Sequence, residues 1–210
     1  MTNETAVAEK LLQINAIKLN PAQPYTWASG WKSPIYCDNS KILSFPYVRD
    51  FIKSELCNVV FEQFPDADIV AGVATAGIAW GAMVADQLKL PFIYVRPKAK
   101  EHGLGNQIEG DIQQGKRVVV IEDLISTGMS SLKVVEVLKQ FGVEIEGMVS
   151  IFNYGFPQAV AAFEENGVIW KSLTNYPALL QLAREKGIIE GSQEEILLNW
   201  QANPSEWTGK

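Results

Sequence analysis

The run VVVIEDLISTGMSS, residues 118–131, restricts the fold more than any other part of this sequence. It opens on branched apolar residues without polar alternation, the pattern of a strand buried on both faces, and such strands belong to parallel sheets covered by helices. Two carboxylates, Glu122 and Asp123, follow at the strand's end, and then a turn rich in hydroxyls and glycine. From Ser130 the apolar positions Val134, Val135, Leu138 and Phe141 recur at helical spacing, and Gly142 is placed to terminate the helix. Three further runs, Asp68–Gly72, Pro91–Val95 and Gly147–Phe152, read as partner strands alternating with helices or loops. An α/β fold follows, with a mostly parallel central sheet flanked by helices.

A chain of 210 residues supports one such core and is short for two, and no linker or internal repeat divides it. The expectation is a single domain over 1–210, with a core at about 66–155. A small hood is expected from about 1–65 and 170–210, the latter carrying a helical pattern from Tyr176 to Glu190. The net charge of −6 repels the phosphates of nucleic acids and anionic lipid, so neither partner is expected, and an anionic substrate must be met by a local basic site. Cys37 and Cys57 are too few for a disulfide framework and fit a reduced cytoplasm. The first residues lack the charged and apolar regions of a signal peptide and read as an amphipathic helix. Ile69–Ala85 is uncharged but rich in Gly and Ala and shorter than the ~20 residues that span a bilayer, which makes it a buried strand, turn and helix.

The chemistry is concentrated in a few segments. Past the acidic pair, Ser126, Thr127, Gly128, Met129 and Ser130 aim backbone N–H groups, hydroxyls and a helix N-terminus at one point, which suits a phosphate dianion. Glu122 and Asp123 would repel that phosphate and are better suited to sugar hydroxyls a few ångströms away. A ribose 5-phosphate meets both requirements. A second segment, residues 94–117, has no helical period and four glycines, at 103, 105, 110 and 115. Such long loops are usually functional. It gathers Arg96, Lys98, Lys100 and the one histidine, His102, in an otherwise acidic chain. The small residues around Thr75 and Gly77 fit close approach to an anion or tight strand–helix packing equally well.

The 118–131 segment resembles the phosphoribosyl pyrophosphate (PRPP) signature of the type I phosphoribosyltransferases. The resemblance implies that fold and a PRPP site made of Glu122, Asp123, Leu124, Ile125, Ser126, Thr127, Gly128, Met129 and Ser130, with Thr75 under the pyrophosphate. The K-x-K-x-H-G spacing of Lys98, Lys100 and His102 is similar to the catalytic loop of the orotate-using members. It implies catalytic and pyrophosphate roles for Arg96, Lys100 and His102 across a homodimer interface, with Mg²⁺ held mainly by substrate oxygens. SGWKSPIYCDN, residues 29–39, resembles the orotate-side segment, which puts Ile35, Tyr36 and Ser126 beside the base. Where many members carry a cation, this chain has Ala28, Ala76, Pro97 and Tyr154. Lys32 is either a substitute for these or a surface lysine.

The expected reaction is transfer of phosphoribose from PRPP to orotate, giving orotidine 5'-monophosphate and pyrophosphate in pyrimidine (UMP) biosynthesis. The alternatives are a purine-type phosphoribosyltransferase and a ligand sensor on the same fold. The loop spacing disfavours the first. A sensor would want a basic DNA-binding segment and would not need Lys100 and His102.

Overall fold

A computed structural model of the chain describes residues 3–27, 29–98 and 107–209. In chain order, α1 (Asn3–Gln13), β1 (Ile17–Leu19), β2 (Tyr25–Thr26), β3 (Lys32–Ser33), β4 (Ile35–Cys37) and a 3-10 turn at Asn39–Ser44 precede α2 (Pro46–Gln63). The core follows with β5 (Ile69–Val73), α3 (Ala76–Leu88), β6 (Phe92–Val95), β7 (Ile108–Glu109), β8 (Arg117–Ile125), α4 (Met129–Phe141) and β9 (Glu144–Asn153). The chain ends with α5 (Pro157–Glu165), β10 (Trp170–Asn175), α6 (Tyr176–Glu185) and α7 (Gly191–Ala202).

The six-stranded sheet runs β10-β9-β8-β5-β6-β7, parallel except for the last pair. After β5 the chain moves outward to β6, whereas after β8 it moves the other way to β9. Right-handed crossovers therefore put α3 and α4 on opposite faces and open a crevice at the C-terminal ends of β5 and β8, where open α/β sheets bind ligands. Every residue of β5 is buried, as is Val118–Glu122 of β8, which accounts for the unbroken apolar runs. Gly72 and Gly77 make this crowding possible. A Cβ on Gly72 would stand 2.7 Å from the Gly77 carbonyl oxygen, and one on Gly77 would stand 2.5 Å from that of Ile121. Strand–helix packing thus accounts for these small residues.

Three elements differ from the sequence reading. Trp170–Asn175, within the stretch expected to form the hood, pairs with β9 as an edge strand of the main sheet. Ile108–Glu109, inside the long loop, pairs antiparallel with β6 and returns the chain to the sheet. The helical pattern from Tyr176 to Glu190 is broken after Glu185, because Gly187 takes φ +66° and a capping box between Glu190 and Gln193 starts a new helix.

The hood consists of two small antiparallel pairs, β1 with β4 and β2 with β3. Trp27, Tyr154, Phe156 and Trp200 form one aromatic cluster beneath it. The Trp200 indole N–H donates to the Lys32 carbonyl at 3.1 Å, and the Gln201 amide donates to that of Tyr154 at 2.7 Å. Helix α7 therefore laces the hairpin to the end of β9. Among the described residues, no helix is long and apolar enough to cross a membrane.

Candidate active site

Period-2 alternation sends the side chains of Glu122 and Asp123 to opposite sides of β8. Glu122 turns inward and is 5 % exposed; its Oε2 accepts from the Ser131 hydroxyl of α4 at 2.9 Å, and its Oε1 from the Asp123 N–H at 3.0 Å. Burial, and after it the charge of Asp123, pushes the Glu122 carboxyl up to about 8. Burial also raises that of Asp123, with Asp38 of the hood adding to it. Burial thus favours the protonated form of the pair. On the hood side, the Asn39 amide donates to the Asp123 carbonyl at 2.8 Å.

Beyond the pair the chain runs between two cavities. One, of about 270 Å³, is lined by Thr26, Trp27, Tyr36, Cys37, Leu124, Ser126 and Tyr154. The other, of about 470 Å³, is lined among others by Ala74, Arg96, Lys98, Thr127, Ser130 and Lys133. The first is aromatic and suits a flat ring; the second is cationic and hydroxylated and suits phosphates. Ser126 and Thr127 are consecutive, yet each lines a different cavity. Gly128 makes that turn with φ +78°, and a Cβ there would stand 2.7 Å from the Phe163 ring. Helix α4 starts immediately afterward, with its N-terminus toward the cationic side.

The structure thus brings Tyr36, Leu124 and Ser126 to one cavity and Arg96, Thr127, Met129 and Ser130 to the other. Arg96 also sits 3.5 Å from Glu109. Ile125 and Ile35 are buried, and the Ile35 carbonyl is taken up by the Trp27 indole at 3.4 Å and the Ser33 hydroxyl at 2.8 Å. Thr75 is exposed at the start of α3, after a cis Ala74–Thr75 peptide bond; Ala74, not Thr75, lines the cationic cavity. Lys32 is exposed and donates to the Thr26 hydroxyl at 2.8 Å, which places its ammonium one side chain away from the aromatic cavity. Lys100 and His102 lie outside the described residues, as does Ala28.

Sequence reasoning missed Trp27, Cys37, Asn39 and Lys133. For Lys133 a signal was present: it stands four residues after Met129 on α4, the spacing that puts it on the same face as the start of the helix. For Trp27 there was none, since its partners Tyr154, Phe156 and Trp200 are remote in sequence.

A family model described as the phosphoribosyl transferase domain matches residues 54–155. The orotate phosphoribosyltransferase of Phocaeicola vulgatus is 54% identical over 206 residues, covering 98% of this chain and 97% of that one. That of Listeria monocytogenes is 52% identical over 207 residues, with 99% of both chains covered. Among solved structures, the orotate phosphoribosyltransferase of Aeropyrum pernix superposes with a TM-score of 0.75 at 29% identity, covering 88% of this chain and 99% of that one.

Proposed function

From a chain that belongs to the phosphoribosyltransferases and, over nearly its whole length, to their orotate-using family, we propose an enzyme that transfers phosphoribose from PRPP to orotate, with orotidine 5'-monophosphate and pyrophosphate as products. Its place is in pyrimidine biosynthesis, and its compartment the cytoplasm. The observation that carries the reading is the placement of the consecutive Ser126 and Thr127 on two different cavities, one aromatic and one cationic, at the end of β8. A sugar held at that turn has its base on one side and its phosphates on the other.

In this reading the C1–O bond to pyrophosphate breaks as the C1–N1 bond to orotate forms; the pyrophosphate leaves with the electron pair of the broken bond, and the N1 proton of orotate is released to it or to solvent. Thr127, Ser130 and the N-terminus of α4 orient the 5-phosphate, and Asp123 accepts from the ribose hydroxyls. Arg96, Lys98 and Lys133 neutralise charge as it develops on the leaving group. Trp27, Tyr36 and Tyr154 flank the base. None of the described residues lining that cavity is basic, so Lys32, leaving Thr26, is the side chain proposed to meet the orotate carboxylate.

The donor set suits a magnesium ion carried by the substrate. Among the described residues no three His, Cys, Asp or Glu side chains gather as ligands, and Mg²⁺ commonly keeps waters and substrate phosphates with one or two carboxylates. Asp123 would be that carboxylate. The ion would neutralise the departing pyrophosphate. Lys100 and His102 are proposed to act from the neighbouring subunit of a homodimer.

The test is loss of orotate absorbance that requires PRPP and Mg²⁺, run beside hypoxanthine, guanine and adenine. Orotate should react and the purines should not. Comparable turnover of any purine, or none of orotate, would end this reading.

A further inference from the structure

Asn39 is 2 % exposed, although it opens a surface 3-10 turn and its neighbour Ser40 is exposed. Withdrawing a primary amide from water is costly unless its polar atoms are met. Here they are met at both ends. The Asn39 Nδ2 donates to the Asp123 carbonyl at 2.8 Å, 84 positions away, and its Oδ1 accepts from the Cys37 thiol at 3.4 Å. Cys37 lines the aromatic cavity. Pairing of β8 with β5 stops at Ile121, so the sheet no longer braces β8 from that side when the chain reaches Asp123. The Asn39 amide supplies a cross-link from the hood where that ladder has ended.

We propose that Asn39 is a positioning residue for the sugar: through the Asp123 carbonyl it sets the peptide that carries the Asp123 carboxylate, and through Cys37 it ties that peptide to the wall of the base cavity. This rests on Asp123 serving the ribose hydroxyls. Asn39 touches no substrate in this role. Its loss should let the Asp123 peptide drift from the sugar while leaving the phosphate and base contacts in place.

The experiment compares Asn39→Leu, which keeps volume without either hydrogen bond, with Asn39→Asp, which keeps size but loses the donor. The control is Asn175→Ala, which removes the side-chain cap of α6 and lines neither cavity, at a similar cost in stability. Michaelis constants for PRPP and orotate are measured well below each melting temperature. The KM for PRPP should rise about tenfold in both Asn39 variants, the scale of one lost buried hydrogen bond, with kcat changed less. The orotate KM should move little, and the control should match the unmodified enzyme. If Asn39→Leu fails to fold, Asn39→Asp carries the comparison. An unchanged KM for PRPP, or a loss confined to melting temperature or to kcat, overturns the role while leaving the activity standing. Absence of PRPP-dependent turnover in the unmodified enzyme removes the activity and the role together.

Discussion

At the scale of single residues, burial decides how the acidic pair carries its charge. Glu122 is withdrawn onto Ser131, and burial pushes its carboxyl from the ordinary 4.5 up to about 8, so folding favours its protonated form. For a carboxyl raised in this way, stability is greatest below the unfolded value and falls as pH rises through the window from about 4.5 to about 8. Each pH unit within that window costs on the order of 1 kcal/mol at most. Glu122→Gln keeps the shape and removes the titration. Urea unfolding at pH 5 and pH 8 should show the unmodified protein losing stability across that interval and the glutamine variant losing much less. Equal losses would mean that another group carries the pH dependence. Ser131 calls for the same measurement, because its hydroxyl donates to the Glu122 carboxylate and favours its charged form.

At the scale of elements, the seam between α3 and the sheet is set by missing side chains. Gly77 meets the Ile121 carbonyl, a backbone atom that cannot swing aside. In Gly77→Ala the helix would gain up to ~1 kcal/mol in propensity, but overpacking typically costs ~1–3 kcal/mol, and a contact this short with backbone belongs at the upper end. A net loss of roughly 2 kcal/mol is expected by chemical denaturation. Gly191→Ala, with nothing within 4 Å of the added methyl, should be neutral. The same contrast explains what could be read from the sequence. Strands β5, β6, β8 and β9 were legible because their apolar runs are local, and the turn at 126–130 because its chemistry is contiguous. Strand β10 was not: it owes its place to pairing with β9 through Ser150, Ser172 and their neighbours, a non-local gain. The aromatic cavity was half legible. Tyr36 and Ser126 belong to recognisable segments, while Trp27, Tyr154 and Trp200 converge only once the hood and α7 have folded together.

At the scale of the whole molecule, the proposed catalytic contribution of Lys100 to a neighbouring subunit can be tested by mixing. A Lys100→Ala dimer and a Glu122→Gln/Asp123→Asn dimer should each be nearly inactive. In a two-fold hybrid one site then carries both lesions and the other carries none, so random reassortment of equal amounts should restore about a quarter of the unmodified sites. Native mass spectrometry checks that hybrids form, and orotate consumption reads the recovery. No recovery in confirmed hybrids would confine each loop to its own subunit. Arg96 N–H donates to the Gln107 carbonyl at 2.9 Å, the Gln107 side chain returns a bond to the Arg96 carbonyl at 3.2 Å, and β7 fastens the far side to β6. Residues 96 and 107 are therefore held side by side at the edge of the sheet. Because β6 and β7 pair on their own account, substitutions between them can accumulate over evolutionary time without asking the sheet to move.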